Sequence, residues 1–465
     1  MLLRLSSGLL ALVMIGVFAL WLTVSKPIEL ISAERLEGER WYQLNLDGQQ
    51  VGYLHTRTHQ DQRGSWQFDS LTHFALTDGQ PVSITDHLRF HPAPPYQLVA
   101  AEHWNQRRGS APEGMVIESG SDGLTASFIH GAESTQHALD WDYALKDYLA
   151  FEGWLATHAP SSGDRFYVKT PDFDRGRLVN KVFHVVEKNL TGYLVESPAP
   201  LKATTIQLDA SFAPIELSMA GLFTLKQSTM REALKTRTPL HLSNYSIPLD
   251  RRLEAAENIA KLDMSITSQH DLRQIWPEAK RRHNDWQVSF FANPTSAQND
   301  PRQAIAETLT FPIFHPDVER LASQMPASNK AERQLAELVS FVHGYLEYRP
   351  DTPSTPVLET IEKRIGECTE FADLLTTLAR SVGMPAITVI GLAYADGAEP
   401  ALAFHAWNEV AVDGVWQAVD PTWNQIRVDA THIPLPANQA ALLRMMQGWN
   451  RIRFTVDDVH YFGDI

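Results

Sequence analysis

The stretch Phe404-His405-Ala406-Trp407-Asn408-Glu409-Val410-Ala411-Val412-Asp413-Gly414-Val415-Trp416-Gln417-Ala418-Val419-Asp420 decides how the last third of the chain folds. At its centre, Asp413-Gly414 is a strong two-residue hairpin signal, because the tight turn needs positive φ at both central positions. With that loop, Val412 faces Val415, Trp407 faces Asp420 and His405 faces Thr422. A side-chain period of two then puts His405, Trp407 and Asp420 on one face of the sheet. His405 and Asp420 become diagonal neighbours, about 7 Å apart at the backbone and closer at their tips, within reach of an imidazole–carboxylate hydrogen bond. Pro421 ends the pairing, since it has no N–H to give to a ladder.

Upstream, Gly366-Glu367-Cys368-Thr369-Glu370-Phe371-Ala372-Asp373-Leu374-Leu375 contains the single cysteine of the chain. Phe371, Leu374, Leu375, Leu378 and Val382 recur on one helical face, and Gly383 and Pro385 stop the helix. Cys368 therefore opens a helix, where free N–H groups and the macrodipole favour the negative charge of a thiolate. Gly366 lets the chain enter sharply. Glu367 and Glu370 flank the thiol, and carboxylates on a first turn generally point to solvent. An imidazole held by a carboxylate is the partner such a thiol needs: the carboxylate fixes one ring nitrogen and leaves the other to take a proton.

These residues resemble the transglutaminase-like superfamily, which shares the papain-type fold, over a stretch from about Pro312 to Ile433. The match rests on the helix-opening cysteine after Gly-x, Phe-Ala-x-Leu-Leu, Gly-Met-Pro-Ala before a strand, His-Ala-Trp-Asn-Glu-Val, and Asp-Gly-x-Trp-x-x-Val-Asp-Pro-Thr. The resemblance implies a catalytic triad of Cys368, His405 and Asp420 acting on a peptide or protein amide, by hydrolysis or by acyl transfer. It also implies an oxyanion site made by the cysteine's own N–H and an upstream donor, for which Tyr348 is the candidate. Trp407 and Trp416 are candidates to wall the substrate cleft, with Tyr348. A non-catalytic binding module of the same fold, scaffolding envelope partners, is the alternative. No cofactor and no metal are expected: the calcium of some animal members has no acidic loop here, and a zinc site on Cys368 and His405 would need two further ligands.

Before this domain, from Arg40 to about Asp250, short alternating runs are punctuated by turn residues. Trp41–Leu46, Asp47-Gly48 and Val51–Leu54 read as a hairpin. Val82–Phe90, Leu124–Ile129, Val179–Val186, Tyr193–Val195 and Thr204–Leu208 read as strands, and Tyr143–His158 as a helix. His55, His73, His87 and His91 fall singly in this region. A second β-like stretch runs from Leu253 to about Phe291, followed by a connection through Asp300, and Leu335, Leu338, Val339, Val342 and Leu346 recur as the core face of a helix. The expected fold class is α+β: a β-rich, mainly antiparallel region at 36–250, a second β-like segment and linker at 251–311, and the transglutaminase-like (papain-type) domain at 312–465.

At the amino end, Gly8 to Val24 is apolar apart from Thr23 and follows Arg4. Residues 1–28 read as an uncleaved membrane anchor, with the bulk of the protein extracytoplasmic (periplasmic), or as a signal segment if cleaved, in which case the protein is secreted. With 465 residues, 44% of them hydrophobic and 20% charged, the chain can bury more than one core. A net charge of −15 repels phosphate backbones and argues against nucleic acid as a partner, the short basic runs Arg251-Arg252 and Lys280-Arg281-Arg282 reading as solvated surface. One cysteine excludes an intramolecular disulfide and any multi-cysteine zinc site. Nothing in the sequence speaks to oligomeric state.

Overall fold

The computed structural model describes residues 26–463 except 47, 76–80, 108–109, 198–203, 220–222, 236–245, 269–270, 296–299, 351–354, 398 and 436–451. The apolar run expected as a membrane anchor lies outside the described residues. Among the described residues the first helix, Ile28–Leu36, has nine residues, and no helix is long and apolar enough to cross a membrane. The expectations of a transmembrane helix and of a membrane-anchored protein with periplasmic bulk are corrected on that finding.

The protein is β-rich, with antiparallel sheets and few helices. Residues 38–228 build one sheet of 14 described strands from two meanders. The first runs outward from Gly38–Leu46 to Glu133–Leu139, and the second runs from Arg165–Asp172 back to Phe223–Ser228, which closes against Gly38–Leu46 with Leu44 opposite Leu225. The strands flanking the expected Asp47-Gly48 turn pair, with Leu46 opposite Gln49 and Gly48 at φ +78°, Asp47 lying outside the described residues. The helical reading at 143–158 resolves into two short helices, Leu145–Tyr148 and Ala150–His158. They pack Leu145 and Leu155, with Leu149 between them, against the sheet.

A four-stranded sheet follows, in the order Lys280–Arg282, Asp285–Phe291, Ile259–Thr267, Arg453–Tyr461. The last described strand of the chain therefore returns to pair with residues 259–267, with Ile266 opposite Phe454. Its apolar face, including Leu262, Met264, Trp286 and Phe454, forms one core with Leu392, Leu402 and Ile433. The large sheet touches the C-terminal part through polar bonds: Ser110 Oγ to Glu359 at 2.6 Å, and Thr135 and His137 to the buried Glu307 carboxylate at 2.8 and 2.7 Å.

The remaining sheet positions the site. Ala386–Asp396 pairs with Pro400–Val412 along its whole length, from Ala386 opposite Val410 to Asp396 opposite Pro400. On its other edge, Pro400–Val412 pairs with Ser246–Pro248 through residues 401–403, and with Val415–Val419 through residues 408–412. The edge at 404–407 carries no strand pairing among the described residues. The hairpin register is the expected one, Val412 opposite Val415, with Asp413 and Gly414 at φ 51° and 82°. Four helices cover one side: Pro316–Ala322, Ala331–Tyr345, Val357–Lys363 and Cys368–Ser381. Leu335, Leu338, Val339 and Val342 from the second, with Leu346 just past its end, join Phe371, Leu374, Leu375 and Leu378 from the fourth in a core closed by Val410, Val412 and Val419 of the sheet.

Candidate active site

Cys368 is the first residue of the helix Cys368–Ser381 and is half-buried. A short parallel pairing, Tyr348 opposite Gly366, brings the chain to that point. The glycine is needed there for room: a Cβ on Gly366 would stand 2.4 Å from the Glu370 Cβ, and Gly366 is not among the positive-φ glycines. Glu370 does not point to solvent as a first-turn carboxylate generally does. It is 2% exposed, and its Oε2 accepts from the Glu367 N–H at 2.9 Å while Oε1 accepts from the Thr355 N–H at 3.1 Å. Part of its charge is thus spent on backbone donors at the helix start.

A chain of buried polar contacts holds this helix on the sheet. Asn408 Nδ2 donates to Ala372 O at 2.7 Å and to Thr376 Oγ1 at 2.8 Å. Thr376 and Thr388 hydroxyls meet at 3.0 Å, and Thr388 Oγ1 donates to Asp373 at 2.7 Å. Burial pushes the Asp373 carboxyl up to about 7, although the Thr388 bond works the other way. Strand residues alternate faces, so the residue that ties Pro400–Val412 to the helix, Asn408, leaves His405 and Trp407 to the opposite face.

His405 sits on the unpaired edge of that strand. Its Nε2 is 2.8 Å from Asp420 Oδ2. Asp420 is fully buried, and its Oδ1 accepts from the Thr422 N–H at 2.7 Å. Burial alone would strip the charge from His405, but the Asp420 carboxylate, with a smaller contribution from Cys368, overrides it and holds the imidazole above its ordinary value. Conversely, burial pushes Asp420 up, and the charge and hydrogen bond of His405, with those of His432, hold it well below the usual carboxylate range. His405 and Asp420 are therefore in direct contact, with Cys368 near enough to His405 to influence its charge.

The three aromatic candidates fare differently. Trp407 is 0% exposed and packs with Val389, Ala418 and Val428, so it lies beneath His405 and not on a cleft wall. Trp416 pairs with Ala411, six residues along the strand from His405 and so about 20 Å away at ~3.4 Å per residue, too far to line the same cleft. Tyr348 is 53% exposed at the surface beside the start of the cysteine helix, its ring 6.4 Å from that of Phe371. The aromatic that does cover His405 is Trp423, whose ring centroid lies 4.2 Å away with the planes 9° apart.

Two further residues escaped the sequence reading. His432 and Asp429 lie in the loop after Asp420, at 0% and 2% exposure, and His432 Nε2 approaches Asp420 Oδ2 to 3.4 Å. The signal was present in Asp-x-Thr-His at 429–432, where Asp429 Oδ1 accepts from the Thr431 N–H and hydroxyl at 2.8 and 2.6 Å, an Asx turn that aims the next residue. His405, Asp420 and His432 offer ligand atoms within 4.8 Å of one another. Donors on one tetrahedral zinc with ~2.1 Å bonds stand about 3.4 Å apart, whereas His405 and Asp420 meet at a direct hydrogen-bond distance of 2.8 Å. This pair is set to share a proton, and Cys368 is not in the group.

The large sheet also gathers histidines that look scattered in sequence. His87 Nδ1 bonds Asp69, His59 Nδ1 approaches the same carboxylate to 3.6 Å, and His103 Nδ1 bonds Asp86 at 2.7 Å. A cavity of about 270 Å³ there is lined by His55, Asp69, His87, Glu102 and Trp104 among others.

No curated protein matches the sequence. Three solved structures are similar in part. A candidate cysteine protease from Cytophaga hutchinsonii shares 15% identity over 44% of this chain and 86% of its own, at a TM-score of 0.26. A DUF1089 family protein from Pseudomonas aeruginosa shares 14% identity over 34% and 91%, at 0.20. A candidate protease from Parabacteroides distasonis shares 9% identity over 81% and 70%, at 0.19. Superpositions at such scores carry no argument for fold or activity. The sequence model of the transglutaminase-like superfamily matches residues 319–421, which include Cys368, His405 and Asp420. Residues 319–421 are a transglutaminase-like domain.

Proposed function

We propose that the protein is a thiol enzyme of papain type that acts on amide bonds of peptides or proteins through Cys368, His405 and Asp420. The observation that carries this reading is the buried 2.8 Å bond between His405 Nε2 and Asp420 Oδ2, made by an imidazole whose charge is also favoured by Cys368 at a helix N-terminus. Asp420 fixes the ring with Nε2 toward itself, which leaves Nδ1 for the thiol. The Cys368 thiolate attacks the amide carbonyl carbon, forming a C–S bond. His405, carrying the thiol's proton, gives it to the nitrogen as the C–N bond breaks and the amine leaves. Water, or a second amine, then attacks the thioester while His405 takes its proton, and the C–S bond breaks to return the thiol. The Cys368 N–H, one of the first four of its helix and without an intrahelical acceptor, would stabilise the developing oxyanion.

With one cysteine in the chain, alkylation of the full-length protein reports Cys368 alone. At pH 6 iodoacetamide is expected to react with the wild type at least about tenfold faster than with His405→Ala, because the imidazolium stabilises the thiolate. Equal rates would falsify the activated pair.

A further inference from the structure

His432 takes no part in the steps above, yet it is built into their charge balance. Its Nε2 lies 3.4 Å from Asp420 Oδ2, the same oxygen that accepts from His405 at 2.8 Å. Its Nδ1 makes no hydrogen bond and lies at ion-pair distance, 3.5 Å, from Asp429 Oδ1. Asp429 is held in turn by Thr431 and by Gln425 Nε2 at 3.1 Å. The ring is wedged edge-on between Trp407, at 5.2 Å and 87°, and Trp423, at 5.3 Å and 72°. Among the described residues, the charged or titratable groups that face it are Asp420, Asp429 and His405.

Two carboxylates are thus taken out of water with His405 as the one other imidazole beside them. An imidazolium at His405 balances one of them, and a buried carboxylate left over is costly. A proton on His432, between the two carboxylates, removes that imbalance. We infer that His432 is a positioning residue for the proposed reaction: as an imidazolium bridging Asp420 and Asp429, it fixes Asp420 and shares its charge, so that His405 pairs with the thiolate yet releases its proton to the departing amine. The inference rests on the reading of Cys368, His405 and Asp420 given above. It makes the pentad Cys368, His405, Asp420, His432 and Asp429 one electrostatic unit, of which the last two members fall beyond the matched segment.

The test is the pH dependence of Cys368 alkylation by iodoacetate, an anion whose reaction slows when His405 loses its proton. In full-length His432→Gln the amide still donates to Asp420 but carries no charge. Asp420 then acts undiluted on His405, and the alkaline limb of the profile is expected to move up by about one pH unit. A role in packing alone leaves that limb where it is in the wild type, and superimposed limbs in a folded variant overturn the inference. Should the variant not fold, ring-¹⁵N-histidine NMR of the wild type decides: the histidine that stands edge-on to Trp407 and Trp423, and whose signals persist in His405→Ala, is expected as imidazolium at pH 7.5, and a neutral tautomer there overturns the inference. His405→Ala, run beside it, separates the two failures. If that variant alkylates like wild type, the triad reading falls and takes His432's role with it; if only His432→Gln is silent, the triad stands.

Discussion

His405 and Trp423 stack face to face, ring centroids 4.2 Å apart, with Trp423 42% exposed above and His405 buried below. An indole face favours a cation, by about 0.5–2 kcal/mol. Trp423→Ala is therefore expected to weaken the imidazolium and move the alkaline limb of Cys368 alkylation by iodoacetate down by about 0.4–1.5 units, at 1.36 kcal/mol per unit. The sign is opposite to that expected for His432→Gln, so the two variants measured side by side separate a stacking effect from a charge effect. A limb unmoved by Trp423→Ala, with Trp423→Phe behaving alike, would reduce the stack to a solvent cover.

The pH dependence of stability follows from the same groups. Asp420 is held below the usual carboxylate range, so its contribution is present above about pH 4 and is lost as pH falls through its folded value. His405 and His432 are held above the ordinary imidazole value. Their contributions are complete below about pH 6.5 and are lost as pH rises through their folded values. Breaking a buried pair by removing one partner costs about 3–5 kcal/mol. Urea unfolding of wild type and Asp420→Asn between pH 3.5 and 9 is expected to differ most between about pH 4 and 6.5. A difference that stays flat across the range contradicts an ionic network.

Gly366→Ala places a methyl 2.4 Å from the Glu370 Cβ, an atom with no rotamer freedom to retreat. Overpacking of this kind costs about 1–3 kcal/mol, and here it also displaces the helix start that carries Cys368. The expected result is a lower unfolding midpoint together with slower Cys368 alkylation at pH 6. Full reactivity in a destabilised variant would show that the helix start yields elsewhere.

Trp407→Ala is expected to cost about 3–5 kcal/mol, as removal of a buried tryptophan generally does. Its six-membered ring lies over Gly391, where an added Cβ would stand 2.2 Å from Trp407 Cη2. Trp416→Ala, half-buried far along the hairpin, is expected to leave Cys368 alkylation unchanged. Denaturation curves and alkylation rates of the two variants check both statements, and a loss of reactivity in Trp416→Ala without loss of stability would return that residue to the cleft.

What the sequence determined about this protein is local. Asp413-Gly414 specifies its own turn, because two consecutive positive-φ positions admit few residue pairs, and the turn alone sets the register up to Asn408 opposite Val419. The apolar faces at 335–346 and 371–378 announce their helices through a 3.6-residue period. What the tertiary structure decided is everything that joins distant segments. Polar strands such as Glu133–Leu139 show little alternation because they lie at a sheet edge. Nothing in residues 259–267 says that 453–461 will pair with them, since backbone ladders are blind to side-chain identity. The fate of each aromatic was likewise outside local reach: Trp407 and Trp423 are both one indole near one histidine, and only the loop after Pro421 folding back over the unpaired edge at 404–407 put the first in the core and the second on the imidazole. That same loop carries His432 to Asp420, a contact of 3.4 Å between residues whose spacing in sequence has no period to reveal it.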